Sequence, residues 1–101
     1  MAHGPDPVYV LRGSQSTVTY LKYLFDDILY SGDQDGFIYI WEMKSKRQIT
    51  KMTAHPGYSV LWIDFVNKDE TMVTQGRDGI VQFWSKDGDQ WTKSGKLCMY
   101  M

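Results

Sequence analysis

Ser31-Gly32-Asp33-Gln34-Asp35-Gly36-Phe37-Ile38-Tyr39-Ile40-Trp41 returns in altered form as Thr74-Gln75-Gly76-Arg77-Asp78-Gly79-Ile80-Val81-Gln82-Phe83-Trp84. The offset is 43 residues at Asp35/Asp78, at Gly36/Gly79 and at Trp41/Trp84. Each copy reads as the end of one strand, a tight turn built on Asp-Gly, and a second strand alternating toward a Trp.

The chain on either side repeats the same plan. Val18, Leu21 and Tyr23 match Val60, Ile63 and Phe65 at an offset of 42, and Leu11-Arg12-Gly13-Ser14 matches Met52-Thr53-Ala54-His55 at an offset of 41. The drift predicts one extra residue in each of two loops of the second copy, because loops absorb insertions more cheaply than strands. Strands are expected at 8–11, 17–23, 28–31, 37–43, 47–52, 58–66, 71–74, 80–85 and 90–93, with a less regular one at 97–101. No window of 11 residues shows helical periodicity. A repeat of about 40–45 residues made of short strands is the period of a propeller blade. The expected fold is therefore all-β: two four-stranded antiparallel blades plus a leading N-terminal strand, an incomplete propeller. The expected boundaries are a loose tail at 1–7, the leading strand at 8–13, repeat 1 at 14–54 and repeat 2 at 55–101.

Composition narrows the function classes. The 101 residues are 43% apolar and 15% aromatic, a globular balance. Eleven basic and twelve acidic residues give a net charge of −1, so no broad positive field exists to hold nucleic acid or an anionic membrane. One cysteine, Cys98, allows no internal disulfide and fits a reducing compartment. Met1 to Pro7 has no apolar core and is no signal peptide. Apolar runs such as Val60-Leu61-Trp62-Ile63 are too short to cross a bilayer. The expected setting is the cytoplasm or nucleus, with no nucleic-acid or membrane partner and no cofactor.

Three constellations could carry chemistry. Thr74, His55 and Asp78 are the residue types of a hydrolase triad, but nothing suggests an oxyanion site or an exposed elbow. Ser31, Asp33, Asp35, Gly36, Ile38 and Glu42 match an EF-hand calcium loop at every position but the first. The flanking segments alternate as strands where that motif needs helices, so a hairpin turn is the expectation. Lys44, Lys46, Arg47 and Lys51 form a small basic cluster at a hairpin loop: a solvated loop first, a contact for an acidic partner second. His3 and His55 are too far apart in sequence to argue for metal. Trp62 and Trp91 read as blade-packing residues rather than a ligand cage.

These residues resemble the WD-repeat family of β-propellers. The resemblance implies a structural tetrad of His55, Thr74, Asp78 and Trp84, in which a buried carboxylate meets the donors it needs. It implies a partial tetrad of Ser31, Asp35 and Trp41, with Ser14 where the His would lie. The terminal Asp of the family pattern is replaced by Glu42 and Ser85, and the Gly before the His by Ala54. Within the family, Val10 to Ser16, Ser31-Gly32 and Gln75-Gly76-Arg77-Asp78 resemble a group of guanine nucleotide-binding protein subunit beta-like proteins, similar to a subunit of the yeast ASTRA complex. That implies a non-catalytic scaffold in co-chaperone assemblies that mature phosphatidylinositol-3-kinase-related kinases. The alternatives are a G-protein beta-type signalling subunit, for which the first seven residues leave no room for a coiled-coil helix, and a non-functional truncated product. Three or more repeats are normally needed for stability, so two imply a fragment, short form or truncated product with adhesive outer faces, open to self-association.

Overall fold

A computed structural model describes residues 17–24, 27–68, 70–88 and 90–98. The leading strand at 8–13, the tail at 1–7, Ser14 and residues 99–101 lie outside the described residues. Eight strands run in order: β1 (Val18–Leu24), β2 (Ile28–Asp33), β3 (Phe37–Glu42), β4 (Arg47–Thr53), β5 (Val60–Val66), β6 (Thr71–Gly76), β7 (Ile80–Asp87) and β8 (Gln90–Cys98). They form two four-stranded meanders, β1-β2-β3-β4 and β5-β6-β7-β8, antiparallel throughout. The Ser31–Glu42 segment is strand, turn and strand, with no helix flanking it.

The first three strands of the two blades share register to the residue, whereas the β7–β8 hairpin is two residues longer than β3–β4, Ser85 pairing with Thr92 where Glu42 pairs with Arg47. Leu29 lies opposite Trp41 as Met72 lies opposite Trp84, and Ser31 lies opposite Tyr39 as Thr74 lies opposite Gln82. Register shifts recur at matching places: Val18/Tyr20 and Val60/Trp62 in the first strands, Ile40/Trp41 and Phe83/Trp84 in the third. A bulge bends a strand and raises its twist, and both blades bend where their Trp sits. The β5–β6 connection is one residue longer than β1–β2, which accounts for the step in offset from 42 to 43.

β7 and β8 depart from expectation. Lys86 and Asp87 read as turn residues, yet they pair with Trp91 and Gln90. Ser94-Gly95 reads as a break, yet β8 runs unbroken to Cys98 because β7 supplies a partner along its whole length. Gln82 bridges the bulge there, its Nε2 donating to the carbonyls of Phe83 and Gly95 at 3.1 and 2.7 Å.

The main core lies between the blades. Tyr30, Ile38 and Ile40 of blade 1 meet Val60, Ile63, Met72, Trp84 and Trp91 of blade 2, with Tyr20, Leu24 and Phe65 packed alongside. Tyr30 stands edge-on to Phe65 at 4.8 Å between centroids, and the Trp91 indole N–H donates to its hydroxyl at 3.3 Å. A second cluster, Leu29, Tyr39 and Trp41, lies on the far side of blade 1.

Candidate functional site: the polar clusters of the two blades

In blade 2 the Asp-Gly turn and the loop entering the blade converge. The loop is held by blade 1: Ala54 and His55 donate their backbone N–H groups to the Gly36 carbonyl at 2.9 and 3.0 Å, and Gly57 N–H donates to the Asp35 carbonyl at 3.0 Å. The approach is close enough that a Cβ on Gly36 would fall 1.7 Å from the His55 carbonyl oxygen, and Gly36 also has φ +92°. Only glycine fits there.

His55 so placed reaches two partners. Its Nε2 lies 2.9 Å from Thr74 Oγ1, and its Nδ1 lies 3.2 Å from Asp78 Oδ2. The Trp84 indole N–H donates to the same Thr74 oxygen at 3.0 Å. An indole can only donate, so Thr74 accepts from Trp84 and has its own proton left for His55. The tautomer that satisfies every donor has Nδ1–H donating to Asp78 and Nε2 accepting from Thr74. Asp78 Oδ1 then accepts from the Ile80 N–H at 3.1 Å and fixes the start of β7. His55, Thr74, Asp78 and Trp84 thus form one continuous chain. A Cβ on Gly76 would come within 2.5 Å of the His55 ring, so the ring's seat depends on a glycine there.

Blade 1 is built differently. The Trp41 indole N–H donates to Ser31 Oγ at 3.0 Å, matching Trp84 and Thr74. Asp35, the repeat mate of Asp78, is exposed and does not join them. Asp33 is the buried acid, 1% exposed, and its Oδ1 accepts from the N–H groups of Asp35 and Phe37, both at 3.0 Å. Phe37 is the repeat mate of Ile80, so Asp33 caps β3 as Asp78 caps β7. Asp33 itself stands at the place of Gly76, the place where any side chain would strike a His ring. Its carboxylate is buried, and Asp35 is left exposed. The partial tetrad expected from Ser31, Asp35 and Trp41 is corrected to Ser31 with Trp41, and Asp33 beside them. Among the described residues Asp33 Oδ2 has no hydrogen-bond partner. The sequence signal for this was a paired loss: the His and the pre-turn Gly are both missing from the first copy.

The other candidates separate. Lys44 Nζ lies 3.7 Å from Asp27 Oδ2. Lys51 Nζ lies over the ring of Phe37 at 4.3 Å and of Tyr39 at 5.5 Å, away from the β3–β4 turn that carries Lys44, Lys46 and Arg47. The four basic residues do not make one patch. Trp91 is buried between the blades, whereas Trp62 is 38% exposed on the far face of blade 2. Among the described residues no group of three or more His, Cys, Asp or Glu could hold a metal ion.

The family model for the WD domain, G-beta repeat, matches residues 5–42 and 46–85, most of the chain. This chain belongs to the WD-repeat family. As a WD-repeat chain it is 33% identical over 86 residues to the guanine nucleotide-binding protein subunit beta-like protein 1 of Mus musculus, covering 79% of itself and 26% of that protein. It is 32% identical over 97 residues to ASTRA-associated protein 1 of Yarrowia lipolytica, covering 94% of itself and 22% of the relative. It is 39% identical over 80 residues to the Schizosaccharomyces japonicus protein of the same name, covering 79% of itself and 21% of the relative. The WD-repeat chain thus spans about a quarter of the length of these relatives. Among solved structures, the β-propeller domain of Myceliophteria thermophila Cps50 (Swd1) superposes with a TM-score of 0.73 at 14% identity, over 97% of this chain and 33% of that one. A chain of the Mitotic Checkpoint Complex does so at 0.67 and 18% identity, over 82% and 25%. At such identities the likeness shows the fold, and the fold is a section of WD propeller.

Proposed function

We propose that the chain is a non-catalytic scaffold, a section of propeller wall that serves a co-chaperone assembly maturing phosphatidylinositol-3-kinase-related kinases, in the cytoplasm or nucleus. Residues 14–54 and 55–101 are its two repeats. One observation carries the non-catalytic half. Thr74, His55 and Asp78 have the connectivity of nucleophile, base and acid, yet Thr74 is 0% exposed and His55 is 1% exposed. The Thr74 oxygen is already occupied by the Trp84 indole N–H. A substrate carbonyl has no route to it and no room beside it. Similarity to proteins named for association with ASTRA supports the assembly half.

Affinity capture of the tagged full chain from cells, read by mass spectrometry, tests the reading. Chaperone components and large kinases should co-purify above a tag-only control. Recovery of a small gamma-type subunit in their place would favour the signalling alternative and overturn the proposal. Replacing Thr74 by Ala should leave every hydrolase assay at background, as for the parent chain.

A further inference from the structure

The hairpin turn between β3 and β4 carries chemistry that a scaffold leaves unused. It reads Lys44-Ser45-Lys46-Arg47, a hydroxyl with one cation before it and two after it. All four residues are exposed. β3 and β4 close at Glu42 opposite Arg47, and residues 43–46 between them are turn throughout, with Lys46 at φ +54°. The Met43 N–H donates to the Asp27 carbonyl at 2.8 Å and ties the base of the turn to the start of β2. The blades meet through β1, β2 and β5, whereas this turn stands at the end of its sheet. Its exposure therefore does not depend on which blade lies alongside. The Ser45 hydroxyl donates to the Glu42 carboxylate. A solvent-exposed bond of this kind contributes little and exchanges readily. Lys44 is equally loose: its Nζ lies 3.7 Å from Asp27 Oδ2, with the side chain 82% exposed.

We propose that Ser45 is a phosphorylation site for a basophilic serine/threonine kinase, one whose substrate cleft is lined with carboxylates. The catalytic-loop aspartate of a kinase is the same kind of acceptor that Glu42 now provides. The Ser45 oxygen attacks the γ-phosphorus of ATP and the bond from that phosphorus to the bridging oxygen breaks. ADP leaves, and the hydroxyl proton passes to the kinase's aspartate. Charge decides the kinase class. Lys44, Lys46 and Arg47 suit an acidic cleft and would be repelled by a basic one. Blade 2 supplies the contrast. At the repeat place of Ser45 it has Gly88, between Asp87 and Asp89, with no hydroxyl and the opposite charge. The modification therefore marks one blade and not the other. A phosphate brings about two negative charges and acceptor oxygens in place of a donor. It repels Glu42, draws Lys44 away from Asp27, and turns a cationic hairpin end close to neutral.

The test has two arms. In the first, the purified full chain is incubated with Mg-ATP and either protein kinase C, which is basophilic, or casein kinase 2, which is acidophilic. Intact mass should rise by one phosphoryl group with the first kinase and stay unchanged with the second. Chymotryptic mapping should place the group on Ser45, since trypsin would cut on both sides of it. Ser45→Ala should take up none. Lys46→Glu with Arg47→Glu keeps the hydroxyl and should lower the rate at least about tenfold, because like charges set against each other are heavily penalised. Near-ultraviolet circular dichroism of the tryptophans checks that each variant is folded, and Lys44→Glu replaces the double change if that one is not. In the second arm, the tagged full chain is recovered from cells treated with a phosphatase inhibitor, and the same peptide should carry the phosphate. No uptake with protein kinase C, uptake confined to another residue, or a rate untouched by the charge reversal overturns the proposal. So does a preference for casein kinase 2, or a cellular peptide without phosphate.

Discussion

The two blades have the same strand order, the same register through their first three strands and bulges at matching places, and they fill the same turn in incompatible ways. Blade 2 leaves the pre-turn position empty with Gly76 and seats a His ring in the space. Blade 1 puts Asp33 at that position and its carboxylate does the capping. Both solutions give a Trp indole a hydroxyl acceptor and the third strand an anchored first N–H. They differ in how much hangs on each residue. The repeat thus conserves the demand for buried donors and acceptors to be matched, and leaves open which side chains meet it.

Transplanting one solution into the other blade should have the largest effect. Gly76→Asp adds atoms where the nearest His55 atom would be 2.5 Å away. Overpacking of this kind costs about 3 kcal/mol, and chemical denaturation should show a loss of that size or greater. Next comes Thr74→Val, which strands both His55 Nε2 and the Trp84 indole N–H. Two buried orphans imply a loss of about 2–4 kcal/mol. The equivalent change in blade 1, Ser31→Ala, strands only the Trp41 indole N–H, and about 1–2 kcal/mol is expected in the same titration. Asp35→Ala should change stability by under about 0.5 kcal/mol, since its side chain is exposed. Asp78→Ala, at the matching position, should rank with Thr74→Val. Equal losses for the two aspartates would break the comparison.

The smallest effect expected is one of pH. Asp64 accepts the Phe65 backbone N–H and faces Lys22, and these hold its carboxyl below the ordinary carboxylate value against the opposing pull of desolvation. Folding then favours the charged form. That contribution is complete above the carboxylate's unfolded-state value and disappears as pH falls through the lower folded-state value. Solvent reaches this carboxylate, so the slope is shallow. Asp64→Asn should flatten the acid limb of a melting-temperature profile slightly.

The strands and the blade 2 cluster could be read from the sequence because they depend on local signals. Asp-Gly turns, alternation toward Trp41 and Trp84, and a constant offset are all written within a dozen residues of one another. The exchange of Asp35 for Asp33 could not be read that way. Two aspartates flank Gln34, and which one turns inward depends on space beside the loop that enters the blade. β8 was obscured for the same reason. Ser94-Gly95 has poor strand propensity, and only the full length of β7 beside it keeps the segment extended. Trp62 gave no sign of its exposure, because its surroundings are set by which neighbouring face is present.

The loop that carries His55 hangs from the carbonyls of Asp35 and Gly36, so the hairpin of the first blade is the mould in which the second cluster is cast. Ribosomal synthesis runs from the N-terminus, and elements made first can fold first. The mould is therefore made before Thr74, Asp78 and Trp84, the residues that are set in it.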